Sequence, residues 1–276
     1  MTSLIPDAET RLNRRQAFKI GGLTVSFAAI VAACGDDRGG DTTGGRVGYA
    51  PPVTQPPDYT VDDVVLLRTA SSLEYTAIYV YEQALALDVL DADTTALVEE
   101  LVGNHQEIAD TMGELTEAAG GEAWECTNPW MMDRLIEPLL ALIADSDDPA
   151  RDLFNTAVGL EDLAASTHQG LSVSLTEADA KSATLTAAVL ESRHSAALVV
   201  RVRGAEGYIS PAVVGEGIPT DDDGIPQRYA ITDRFGSVAQ AELTVGPPDE
   251  NGVRESFLLQ TPAENSFVYS ELEPTC

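Results

Sequence analysis

The chain has 276 residues, with 45 acidic against 16 basic side chains and a net charge of −29. That balance excludes nucleic acid and anionic lipid headgroups as direct ligands, because both are bound through clustered Lys and Arg. The length allows one domain of ordinary size with an appendage, and the acidity serves solubility or salt tolerance, or gathers cations near a membrane.

The first segment reads as an address. Arg14-Arg15 precede an apolar run from Ile20 that ends at Val31-Ala32-Ala33-Cys34. Paired arginines before a short hydrophobic region resemble a bacterial twin-arginine export signal, and small residues before Cys resemble a lipoprotein cleavage box. The run is shorter than the ~20 residues needed to cross a bilayer. Cleavage before Cys34 would leave a lipid-modified N-terminus and hold the protein on the outer face of the cytoplasmic membrane. The expected partners are therefore the export machinery, through Arg14 and Arg15, and the membrane, through lipid on Cys34; any protein partner is unspecified. With Cys34 lipidated, Cys126 and Cys276 remain as one disulfide or as two free thiols.

The expected organisation is a signal peptide over 1–33, a flexible tether over 34–59, a helical domain over 60–202 and a small β-rich appendage over 203–276. The tether is rich in Gly, Asp, Thr and Pro, with no apolar periodicity. Helical spacing begins where Thr60 and Asp63 suggest a capping box. Apolar stripes then predict four long helices at about 61–89, 94–118, 150–174 and 177–202. A short connection around Asp91 makes the first two a hairpin. Thr176, with Asp179 completing a capping signature, does the same for the last two. Between the pairs a long crossover carries a short apolar helix near Met131 to Ala144 and the start signal Asp148-Pro149.

Beyond Arg203 the pattern changes to short alternating runs. Val238 to Val245 and Val253 to Gln260 flank a turn containing Asn251-Gly252, which predicts a β-hairpin; Tyr229 to Thr232 and Phe267 to Ser270 are further strand candidates. The acidic run Asp221-Asp222-Asp223-Gly224 lacks calcium-loop spacing and reads as a solvated turn. No nucleophile elbow, phosphate loop or dinucleotide fingerprint occurs, so hydrolase and nucleotide-dependent functions have no support.

The informative residues are polar ones in apolar places. Glu74, His105, Glu161, His168, Glu191 and His194 all fall within the predicted stripes, including every histidine of the chain. A carboxylate buried alone is costly, so each needs a partner. Glu191-Ser-Arg-His194 places carboxylate and imidazole one turn apart on one face, and Glu and His converging from four antiparallel helices can hold divalent cations.

Over about residues 61–202 this pattern resembles the ferritin-like superfamily, most of all the exported ferritin-like proteins of actinobacteria. The resemblance implies a mainly α fold, a ferritin-like four-helix bundle of two hairpins joined by a long crossover, with the small C-terminal β appendage beside it. It implies metal ligands at Glu74, His105, Glu161, Glu191 and His194, for iron or manganese in oxidation or sequestration. The family's pattern also has a carboxylate three residues before the second-helix histidine; here that position is Val102, so the di-metal set is one ligand short. His168, two turns past Glu161, is expected in a different layer, capping the site or bonded to Glu or Tyr. The crowded Tyr75, Tyr79 and Tyr81 are expected in packing rather than redox roles. The competing expectation is a polar core layer without metal, in a non-enzymatic envelope lipoprotein that uses the bundle as an interaction scaffold and the β appendage as its contact surface.

Overall fold

A computed structural model describes residues 59–209 and 240–276. Arg14, Arg15, Cys34, the tether up to residue 58, the acidic turn at 221–224 and the strand candidate at 229–232 lie outside the described residues. Helix α1 (Asp63–Ala86) and α2 (Ala92–Ala118) form one antiparallel hairpin. A crossover holds α3 (Pro129–Met131), a wide π turn (Met132–Ile136) and α4 (Glu137–Ala144). Helices α5 (Pro149–Ser174) and α6 (Ala178–Ile209) form the second hairpin, with α1 packed on α5 and α2 on α6. This is the expected four-helix bundle with one long crossover. Among the described residues no helix is long and apolar enough to cross a membrane.

The helix starts follow local chemistry. Asp91 and Asp148 cap α2 and α5, accepting hydrogen bonds from Thr94 N (2.8 Å) and Arg151 N (3.1 Å). The cap of α1 differs from expectation, since Asp62 accepts from Val65 N at 3.0 Å. Asp63 instead reaches across to the second hairpin, where its carboxylate accepts from Thr176 N, Thr176 Oγ1 and Glu177 N at 2.7–3.1 Å. Thr176 is thus held by Asp63 instead of forming a box with Asp179. Gly204, at φ 71°, interrupts α6 close to the expected end of the helix.

The expected helix at 131–144 is split by its own sequence. Pro138 has no N–H to offer Arg134, and its ring crowds that carbonyl, so a π turn stands ahead of α4. Asn128 fixes the crossover. Its side chain accepts from Met131 N at 3.0 Å and donates to Ser72 Oγ at 3.0 Å and Ser266 O at 2.9 Å.

The appendage contains an antiparallel pair, β1 (Gln240–Val245) and β2 (Glu255–Gln260), in register from Gln240 opposite Gln260 to Val245 opposite Glu255. Asn251-Gly252 is not a two-residue hairpin turn. Asp249 organises a longer connection by accepting from Asn251 N and Val253 N, both at 2.8 Å. The inward residues Leu243, Val245, Phe257 and Leu259 join the core around Leu153 and Leu160. Gly159 permits this approach, since a Cβ there would meet Leu243 at 2.8 Å.

Phe267 to Ser270 is not a strand. The segment lies along α1, where Val268 N donates to Thr69 Oγ1 at 3.0 Å, and the side chain of Asn128 takes up Ser266 O. Buried Arg68 of α1 continues the attachment. It donates to Ser270 Oγ at 3.2 Å and to the carbonyl of Glu273, and lies over the Trp124 ring. Cys126 and Cys276 sit at disulfide distance, with Cα atoms 5.8 Å apart, so the tail is tied to the crossover.

Candidate metal centre

Two apolar clusters fill the bundle, and the polar group falls at their junction. Ala70 and Ala77 flank Glu74, Leu101 and Ile108 flank His105, and Ala187 and Leu198 flank Glu191 and His194. Burying each helix's apolar stripe carries these side chains inward. Glu74, His105, Glu161, His168 and Glu191 are wholly enclosed, and His194 is 4 % exposed.

His105 is the hub. Its Nδ1 lies 2.8 Å from Glu74 Oε2 and its Nε2 3.2 Å from Glu161 Oε1. His194 Nδ1 lies 3.3 Å from both Glu161 Oε2 and Glu191 Oε2. The Tyr81 hydroxyl donates to Glu161. All five residues named from the sequence therefore meet in one place. Val102 contributes no donor and packs half-buried against the apolar core.

His168 is not in a separate layer. Its Nε2 lies 2.7 Å from Glu74 Oε1, so the expected bond to a glutamate forms within the site itself. Helical side chains incline toward the N-terminus, so His168 on α5 and Glu74 on the antiparallel α1 lean toward each other, although two turns put ~10 Å between the Cα levels of Glu161 and His168. Tyr81 does the same on α1, seven residues after Glu74 as His168 is after Glu161. The matching spacing was the available signal for both contacts. Asn104 gave no such signal, yet its Nδ2 lies 3.2 Å from His194 Nε2 at the solvent edge. Tyr75 and Tyr79 are not site residues; they contact Gln106 and Glu137.

The electrostatics are those of too many acids in a dry space. Burial pushes the Glu191 carboxyl well above the usual range, and the neighbouring Glu74 and Glu161 carboxylates push it further, so Glu191 holds a proton. Burial also opposes ionisation of the other two, but His105, a hydrogen bond from Glu191 and then His194 hold Glu161 well below the ordinary value, and His105 and His168 bring Glu74 to about 2. His105 is desolvated, which favours its neutral form, yet Glu161 and Glu74 outweigh this and raise it to about 10. Burial and Glu161 drive the Tyr81 hydroxyl well above its usual value, so it remains a donor.

Do these residues suit a cation? His105, Glu161, Glu191 and His194 each offer a ligand atom, all within 4.8 Å of one another; Glu74, His168 and Glu191 form a second such group. With metal–ligand bonds near ~2.1 Å, adjacent donors on one ion stand about 3.0–3.4 Å apart, and the contacts at 3.2–3.3 Å fall in that range. Glu191 Oε1 lies 3.5 Å from His105 Nδ1, and the protonated Glu191 carboxyl hydrogen-bonds to Glu161 and Glu74. A mixed carboxylate–imidazole set of this kind suits a divalent transition metal. The donor set fits.

Antiparallel helical hairpins joined by a crossover, enclosing glutamates and histidines that can hold a metal, define a ferritin-like bundle. The ferritin-like domain family matches residues 62–202, and the chain belongs to that family. No curated protein and no solved structure shows a significant match to it.

Proposed function

We propose that this chain is an exported, lipid-anchored ferritin-like protein that binds iron or manganese inside its bundle, through His105, Glu161, Glu191 and His194. The observation that carries the reading is the convergence of these four buried donors, whose ligand atoms all lie within 4.8 Å of one another. Arg14-Arg15 and Cys34 support a place on the outer face of the membrane.

Such an ion would supply a redox-active, Lewis-acidic centre suited to oxidation or sequestration. The surrounding residues have defined tasks. Glu74 accepts the Nδ1 proton of His105 and fixes the ring with Nε2 toward Glu161. Tyr81 holds Glu161 by its hydroxyl, Asn104 meets His194 at the solvent edge, and the two apolar clusters keep water from the remaining sides.

The second reading is a metal-free polar layer in a scaffold protein, in which a protonated Glu191 hydrogen-bonds to the Glu161 and Glu74 carboxylates. Metal analysis of protein purified from its native host decides between them, with Glu191→Ala and His194→Ala alongside. Iron or manganese that disappears in both variants is expected. Metal content unaffected by either substitution would overturn the site.

A further inference from the structure

The sequence leaves a symmetric metal pair one carboxylate short, because Val102 stands where the first hairpin would match Glu191 of the second. The structure places another ligand nearby. His168 and Glu74 approach to 2.7 Å, and with Glu191 they form a group of three fully enclosed donors outside the His105–Glu161–His194 set. Glu191 belongs to both groups.

We propose a second cation position formed by Glu74, Glu191 and His168, in which His168 takes the place of the carboxylate absent at Val102 and Glu191 bridges to the first position. This rests on the metal-binding reading above. The two positions are unequal by construction. The first has two carboxylates and two imidazoles, and the second has two carboxylates and one imidazole, with Glu191 common to both. Separating the His168–Glu74 contact from 2.7 Å to the ~3 Å of adjacent ligands needs only a small side-chain adjustment. The Glu74 oxygen that bonds His105 is Oε2, so Oε1 is free to turn from His168 to an ion without releasing His105. Shared use of Glu191 makes the second position the weaker one and dependent on the first.

Equilibrium dialysis of the full chain against Mn(II) tests this, with bound metal counted by mass spectrometry and electron paramagnetic resonance recorded on the same samples. The wild type should bind about two Mn(II) per chain in two phases, with spectral broadening from a coupled pair in the second. His168→Ala should bind about one, with the first affinity changed less than about threefold and the uncoupled six-line signal retained. His168→Gln keeps an N–H for Glu74 and should give the same count; urea unfolding of both metal-free variants checks that they are folded. A wild type that binds about one Mn(II), unaffected by His168→Ala, overturns the second position and leaves the first standing. Two bound ions in both His168 variants also overturn it. A wild type that binds none overturns both readings.

Discussion

Replacing Glu191 by glutamine separates the two jobs a buried glutamate can do. In the metal-free protein Glu191 is already neutral, because burial and the adjacent Glu74 and Glu161 carboxylates hold its proton in place. Glutamine has nearly the same shape and no charge, so Glu191→Gln should change the stability of the metal-free fold by less than about 1 kcal/mol. Glu161→Gln is a different perturbation. It removes an ionised group that faces His105 at 3.2 Å and His194 at 3.3 Å, and that accepts from Tyr81. The His105 imidazolium then keeps only one close carboxylate partner inside a closed core, and breaking such a pair costs about 3–5 kcal/mol. Both variants should lose Mn(II) affinity by more than about 100-fold, since each removes a ligand of the first position. Urea unfolding in chelator gives the stabilities, and dialysis gives the affinities. If Glu191→Gln destabilised the metal-free protein as much as Glu161→Gln, Glu191 would be ionised and the charge assignment refuted.

Acid–base behaviour should follow the same assignment. His105, raised to about 10 from 6.5, stabilises the metal-free fold fully below pH 6.5 and ceases to do so as pH rises toward 10; the raised Glu191 acts in the same direction, while Glu74, lowered to about 2, loses its contribution only as pH falls from 4.5 through 2. Urea unfolding should therefore show metal-free stability declining as pH rises from 4.5, through Glu191, and more steeply between pH 6.5 and 10, where His105 joins it, by up to about 1.4 kcal/mol per pH unit for each retained proton, and a flatter profile with Mn(II) bound; equal slopes would contradict the assignment. Cys126→Ser should cost about 2–5 kcal/mol, because the bridge spans 150 residues and anchors the tail; an unchanged melting temperature under reducing conditions would refute that role. Asp63→Ala removes the acceptor that joins the start of α1 to the turn before α6 and should cost about 1–2 kcal/mol in urea unfolding, whereas Thr60→Ala should cost almost nothing.

Much of the bundle was legible because helix burial is periodic and helix starts carry side-chain caps. The spacing of Leu67, Ala70, Glu74 and Ile78 and the acids at Asp91 and Asp148 respond to local rules that a linear reading can apply. What it missed depended on contacts distant in sequence. Asp62 and Asp63 are equally good caps by type, and only the presence of the second hairpin decides that Asp63 turns toward Thr176. Phe267 to Ser270 has strand-like residues, but its backbone meets Thr69 on a helix instead of another strand. The π turn was within reach of the sequence, since Pro138 lies inside the predicted helix, yet where the strain would be accommodated depended on packing.

The site shows the same division more sharply. That Glu74, His105, Glu161, Glu191 and His194 share one interior follows from stripe position, because a polar residue at a core position has nowhere else to go. Axial distance alone misplaced His168, because a residue's Cα level is not the level at which its side chain acts. On antiparallel helices the inclination of side chains toward the N-terminus produces a crossed arrangement, in which Tyr81 on α1 reaches Glu161 on α5 while His168 on α5 reaches Glu74 on α1. The two contacts occupy equivalent places in the two hairpins but differ in chemistry. A phenol kept protonated by burial can only hold a carboxylate in place, whereas an imidazole can hold one or compete with it for a cation. Val102 lies in the first hairpin, and His168 lies in the second, in one metal-binding group with Glu191. Val102→Glu tests whether they compensate. If His168 supplies the donor that Val102 lacks, the added carboxylate should rescue the second Mn(II) in His168→Ala and add little to the wild type; failure to rescue in a folded double variant would show that the two positions do not serve the same ion.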